Sequence, residues 1–348
     1  MRRTPTIVTA LAAAAAAATL LLTGCVAGEG SASGAAASST PGAVTKGGTL
    51  NIDFATYNPL SLVIKKEGWL EKALAKQDIT VNWVQSAGSN KANEALRSGA
   101  IDVGSTAGSA ALLARSNGSP IKTIDIFSQP EWSAIVVGPN STITSVKELK
   151  GKQIAATKGT DPYFFLLQSL EANGLSADDV TIQNLQHADG WAALQNGSVD
   201  AWSGLDPIMA NAEKSGAKLI YRNVGFNTYG FLNATESFLS AKPDVAQTVV
   251  NTYEYARAWA QKHPDETAQI LSEVAGIDPT VATTVITERT NLDVSPIPGD
   301  AQLKVLKKVG PIFVQSGDVA SQSDIDKALD TLLDPSFVKK ADPSAIGG

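Results

Sequence analysis

The chain of 348 residues holds one cysteine, two histidines and two methionines. A single Cys excludes an internal disulfide framework and leaves no set of thiolates for zinc or an iron cluster. The two histidines, His187 and His263, stand far apart in sequence, and no H-E-x-x-H, C-x-x-C, G-x-S-x-G or Walker motif occurs. Basic residues never run beyond a pair, and 28 Lys and Arg face 34 Asp and Glu for a formal charge of −6. Nucleic acid and anionic lipid are therefore excluded as principal partners. The most apolar stretch, Ile7 to Leu22, is about sixteen residues, short of a comfortable membrane span. Neither a cofactor nor a metal is expected.

What is present begins at the N-terminus. Arg2 and Arg3 precede the Ala-rich apolar stretch, which ends in Leu22-Thr23-Gly24-Cys25. This order reads as a signal peptide over residues 1–24, cleaved so that Cys25 becomes a lipidated N-terminus. Residues 25–47, rich in Gly, Ala, Ser and Thr, cannot bury enough apolar area to offset their chain entropy and read as a flexible tether. The expected location is the outer face of the cell membrane, reached through the lipid anchor alone.

The folded part repeats itself. Strand and helix patterns run in the same order over residues 50–115 and 153–202. The segment Glu94-Ala95-Leu96-Arg97-Ser98-Gly99-Ala100-Ile101-Asp102 parallels Ala192-Ala193-Leu194-Gln195-Asn196-Gly197-Ser198-Val199-Asp200. In each, a helix ends at Gly and an apolar-Asp pair opens the next strand. One supersecondary assembly made twice predicts two α/β lobes. Ala134 to Val137 and Tyr229 to Asn233 are the expected crossing strands. After Ser240 the pattern is helical, and those helices are expected to pack on lobe one.

These features together resemble the solute-binding lipoproteins of ABC importers, in the aliphatic sulfonate, taurine and nitrate-binding group. The resemblance is carried by the lipobox, Ala95-Leu96-x-x-Gly99-x-Ile101-Asp102, Ser145-Val146-Lys147-Glu148-Leu149-Lys150-Gly151-Lys152, Lys158-Gly159, Val199-Asp200-Ala201-Trp202 and Asp206-Pro207, over about residues 48 to 330. It implies a type II periplasmic binding protein fold, α/β, with two lobes joined by two hinge strands and a solute trapped between them. The expected division is lobe one at 48–136 plus 232–334, lobe two at 137–231, and a tail at 335–348. It also implies an ABC permease and its ATPase as partners, a monomer, and no enzymatic activity.

Open α/β sheets bind ligands at the carboxyl ends of their strands. That rule and the resemblance select Tyr57, Asn58, Ser89, Ser105, Thr106, Glu131, Trp132, Thr160, Asp161, His187 and Asp206 as candidate ligand contacts. The hydroxyls suit an oxyanion, while each small polar residue is equally suited to capping a helix. Asp161 precedes Pro162, the order of a helix start, and in the family its place often carries Ser or Thr. Glu131, Asp161 and Asp206 place carboxylates near a site whose loops contain no Arg and only Lys158 as a base. A solute with an amine or amide end suits such a site better than a bare anion. Tyr57, Trp132, Tyr163, Trp202 and Tyr229 could enclose an organic part.

The expected solute is thus an aliphatic sulfonate or a taurine-like compound. The alternatives are a thiamine-precursor pyrimidine or another nitrogenous solute. A lipid-anchored sensor or adhesin would share the fold. Thiamine pyrimidine synthases also resemble it, but their Cys-rich iron motif has no counterpart in a chain with one Cys.

Overall fold

The computed structural model describes residues 44–347. The signal peptide, Cys25 and most of the tether lie outside the described residues.

Ten strands form two five-stranded sheets of matching design. The first contains β1 (Thr49–Phe54), β2 (Thr80–Gln85), β3 (Val103–Ala107), β4 (Ile121–Ser128) and β10 (Gly230–Thr235), in the order β2-β1-β3-β10-β4. The second contains β5 (Ser133–Val137), β6 (Gln153–Ala156), β7 (Thr181–Asn184), β8 (Ala201–Leu205) and β9 (Lys218–Arg222), in the order β7-β6-β8-β5-β9. In each, three parallel strands are followed by two antiparallel pairings. The central strands β3, β5, β8 and β10 are buried at every position, as strands covered on both faces must be.

Helices α1 (Pro59–Glu67), α2 (Trp69–Ala75), α3 (Ser89–Ser98) and α4 (Gly108–Ser116) belong to the first lobe. The second carries α5 (Asp161–Ala172), α6 (His187–Gln195) and α7 (Ile208–Lys214). The chain then returns through α8 (Glu236–Ala241), α9 (Pro243–Lys262), α10 (Pro264–Ala275), α11 (Pro279–Thr284), α12 (Asp300–Gln315) and α13 (Gln322–Thr331).

The sequence repeat has a common physical purpose in both lobes. Gly99 and Gly197 adopt left-handed backbone, at φ 72° and 75°, where α3 and α6 end. The Asp that follows turns its carboxylate to the first strand of the same sheet. Asp102 accepts from Asn51 N at 2.8 Å, and Asp200 accepts from Gln153 N at 2.9 Å. Each repeat thus pins its third strand to its first.

The lobe boundaries differ from the expected ones. β5 lies wholly in the second sheet, between β8 and β9, and β10 wholly in the first. The crossings are therefore the short connections at 129–132 and 223–229, not the strands themselves: strands buried at every position need both neighbours of a sheet to pair their backbone. The end of the tether is also fixed. Thr45 donates through its N and Oγ1 to the Asp244 carboxylate, at 2.7 and 2.5 Å. The C-terminal tail is packed rather than free: Val338 is buried in the first lobe's core and Asp342 N donates to Asn251 Oδ1 at 2.9 Å.

The late helices do not serve lobe one alone. Phe313 of α12 meets Phe164 of α5 at 4.3 Å between ring centroids, both fully buried, so one apolar cluster runs through both lobes.

Candidate functional site

The carboxyl ends of the two sheets face one another across a seam. From lobe one come the loops after β1, β2 and β3; from lobe two come those after β6, β7 and β8. Helices α3, α4, α5 and α6 all begin at this seam, so their unpaired backbone N–H groups gather there.

Asp161, 1% exposed, ties lobe two to α4 of lobe one and to both crossings. Its Oδ1 accepts from Ser109 Oγ and Thr228 Oγ1, both at 2.6 Å. Its Oδ2 accepts from Trp132 Nε1 at 2.8 Å and Thr228 N at 2.9 Å. Ser109 stands at the start of α4 and Thr228 on the returning crossing. The carboxylate therefore takes the four donors that an oxyanion would take at this point. All four are neutral, and among the described residues no cation pairs with it. Burial raises its pKa, and the four hydrogen bonds partly offset that rise. Close approach at the crossing requires glycine: a β-carbon on Gly108 would stand 2.3 Å from Thr228 O.

His187, 2% exposed, faces the seam from the start of α6. Thr157 Oγ1 donates to Leu185 O at 2.6 Å and so accepts at 3.2 Å from His187 Nδ1. The ring proton is thereby assigned to Nδ1, and Nε2 is left with a lone pair and no partner. Burial pushes the imidazole pKa down to about 4, so the ring is neutral at physiological pH. Opposite stands Gly88, at φ 155°; a β-carbon there would meet Asn90 Oδ1 at 2.8 Å and His187 Nε2 at 3.0 Å. Asn90 Oδ1 is likewise buried without a partner. Two unpaired acceptors, one from each lobe, thus flank the same glycine.

The third part is an ion cluster. Arg289, in the helical turn following α11, donates to both oxygens of Asp206 at 3.1 and 3.3 Å and also pairs with Glu213. Burial raises Asp206 to about 6, with the Arg289 charge pulling against it. Asp206 also accepts from Ala210 N at 2.9 Å in the first turns of α7. Between this cluster, Tyr57 and Trp132 lies a cavity of about 10 Å³, room for a single water. Tyr57 and Trp132 meet edge to face at 6.1 Å.

Several expected ligand contacts have structural partners instead. Asn58 caps α1, accepting from Ser61 N at 3.3 Å, and donates to Tyr253 Oη at 3.2 Å. Ser105 donates through N and Oγ to Asp53, at 2.9 and 3.1 Å. Thr106 Oγ1 accepts from Asn233 Nδ2 at 2.8 Å, and Ser89 Oγ accepts from Ala107 N at 2.9 Å. Thr160 Oγ1 donates to Thr157 O at 2.6 Å. Glu131 is turned away to a two-point ion pair with Arg222, at 3.1 and 2.7 Å. Lys158 is exposed and lies over Tyr163, facing an outer groove beside α12 rather than the seam. Of the five aromatics, Tyr57 and Trp132 line the cavity; Trp202 is buried in lobe two's own core.

Arg289 and Thr228 were not among the expected residues. Arg289 lies 83 residues from Asp206 within a helical stretch, and Thr228 carries no motif; only the folded chain brings them to the seam.

With this geometry in place, the chain can be set beside known proteins. The NMT1/THI5-like family model matches residues 62–267. A Bacillus subtilis (strain 168) protein named for aliphatic sulfonate binding is 31% identical over 294 residues, covering 82% of this chain and 85% of the relative. The structure of the alkanesulfonate-binding protein SsuA from Xanthomonas axonopodis pv. citri, bound to MOPS, is 25% identical with a TM-score of 0.74, over 82% of this chain and 99% of that one. The periplasmic aliphatic sulphonate binding protein SsuA from Escherichia coli gives 25% identity and a TM-score of 0.70, over 83% and 92% of the two chains.

Proposed function

The chain belongs to the NMT1/THI5-like family, and from that membership we propose that it is the solute-binding component of an ABC importer, capturing a small sulfonate-class organic solute between its lobes. The observation that carries this reading is the seam: two sheets of one design turn the same ends toward each other, and four helix N-termini open onto the gap between them. Relatives named for aliphatic sulfonate binding support the solute class. Backbone N–H groups at those helix starts would bind and orient the sulfonate; no covalent step is assigned to any residue. Cleavage before Cys25 and its acylation would hold the monomer on the outer membrane face, where it would deliver solute to the permease and its ATPase.

Native mass spectrometry of the full chain extracted from membranes tests this in one measurement. A retained solute of sulfonate mass on an acylated monomer is expected, with alkanesulfonates re-binding in calorimetric titration. A chain without an acyl group removes the anchor and leaves capture intact. Failure of every alkane- and aminoalkanesulfonate to bind at millimolar concentration overturns the sulfonate reading.

A further inference from the structure

Among the described residues, the seam is rich in acceptors and has no free cation. Asp161 is buried with neutral donors only. His187 Nε2 and Asn90 Oδ1 are buried acceptors with no partner, on opposite lobes beside Gly88. The one guanidinium facing the cleft, Arg289, is already shared by two carboxylates, Asp206 and Glu213. Lys158 points outward. These acceptors sit on adjoining loops: Ser89, next to Asn90, bonds Ala107 just before Ser109, and a β-carbon on Gly159, two residues before Asp161, would lie 3.6 Å from Asn90 Cβ.

We propose that Asp161, His187 and Asn90 form a seat for the ammonium or other donor-bearing end of the solute, so that the protein selects aminoalkanesulfonates over plain alkanesulfonates. This deepens the sulfonate reading and rests on it for the other end of the molecule, which the helix N-termini would meet. The physical reason is charge. A bare sulfonate entering the seam would lie near a buried carboxylate that nothing neutralises and would have to displace it from its four donors. An ammonium group removes that penalty and supplies donors to Nε2 and Oδ1, which otherwise remain desolvated and unpaired. The neutral, Nδ1-protonated form of His187 suits this role because it presents a lone pair, not a second proton, to the seam.

The test is calorimetric titration of the full chain with taurine, ethanesulfonate, 2-aminoethanol and a thiamine-precursor aminopyrimidine. Taurine is expected to bind at least about tenfold more tightly than ethanesulfonate. Asp161→Asn should lower the ratio of taurine affinity to ethanesulfonate affinity by about ten- to more than a hundredfold, whatever it does to lobe closure in common. Asn90→Leu, which breaks no strong bond of the fold, should weaken taurine by about tenfold and spare ethanesulfonate, so the test survives if Asp161→Asn misfolds. Ethanesulfonate binding as tightly as taurine, or both variants weakening the two sulfonates equally, overturns the seat while sulfonate capture stands. Binding of 2-aminoethanol or the pyrimidine but of neither sulfonate, abolished by Asp161→Asn, keeps the seat and overturns the sulfonate class. No binding by any of the four overturns both.

Discussion

Asp161, which opens α5 beyond β6, and Asp206, directly after β8, belong to the same lobe and are both hidden from water, yet the protein treats their charges in opposite ways. Asp206 faces Arg289, and a second carboxylate, Glu213, shares that guanidinium. Asp161 meets two hydroxyls, an indole N–H and a backbone N–H, and no cation. One charge is cancelled within the fold and fastens α7 to the helical turn after α11. The other is held only by dipoles. Burial alone therefore does not decide how a carboxylate is compensated; the identity of its counter-group does.

The comparison breaks most sharply at the guanidinium. Arg289→Met should leave Asp206 as an uncompensated buried charge and lower the unfolding free energy by about 3–5 kcal/mol, read by urea denaturation. A loss below about 1 kcal/mol would mean that Asp206 is neutral in the fold and that the two acids are alike.

A smaller effect comes from pH. Burial lifts Asp206 to about 6, above its ordinary carboxylate value, so the folded chain holds a proton over a range where the unfolded chain has released it. The stabilisation from that proton is complete below the ordinary value and is lost as pH rises through about 6. The stability difference between wild type and Asp206→Asn should therefore shift against wild type by roughly 1–3 kcal/mol from pH 4 to pH 7. His187 and Asp53 titrate in both proteins and cancel in the difference. A flat difference would place the Asp206 pKa at its ordinary value.

Smallest is the rim. Glu131→Gln removes a partly exposed ion pair with Arg222 and should cost about 0–1 kcal/mol, with no change in solute affinity. A tenfold change in taurine binding would return Glu131 to the site.

Much of the fold was legible because repetition leaves a signature in sequence. Gly99 and Gly197, each followed by an apolar-Asp pair, marked two copies of one assembly, and both Asp residues make the same strand-to-strand bond. The seam loops followed from the strand-end rule. Which side chain in a loop faces the partner lobe was not legible. Asn58, Ser105 and Thr106 have the residue types of ligand contacts, but each is consumed by a neighbour from a distant part of the chain: Tyr253, Asp53 and Asn233. The seam loops indeed hold no Arg, but the loops alone could not show that Arg289 reaches Asp206 from a helical stretch remote in sequence. Local pattern reports periodicity and caps; it does not report which long-range partner saturates a polar group.

The contact of Phe164 with Phe313 bears on how much solute must be present before the receptor responds. With the lobes together, the cavity beside Trp132 admits about one water, so a larger solute enters there only when the lobes part. Parting them exposes ring surface that is now fully buried, and baring one such ring costs about 1.5–3 kcal/mol. The receptive form is then outnumbered by about ten- to more than a hundredfold, and the apparent affinity falls by the same factor. The packing of two phenyl rings thereby contributes to the threshold concentration for uptake, and that contribution can change without altering a group that recognises the solute.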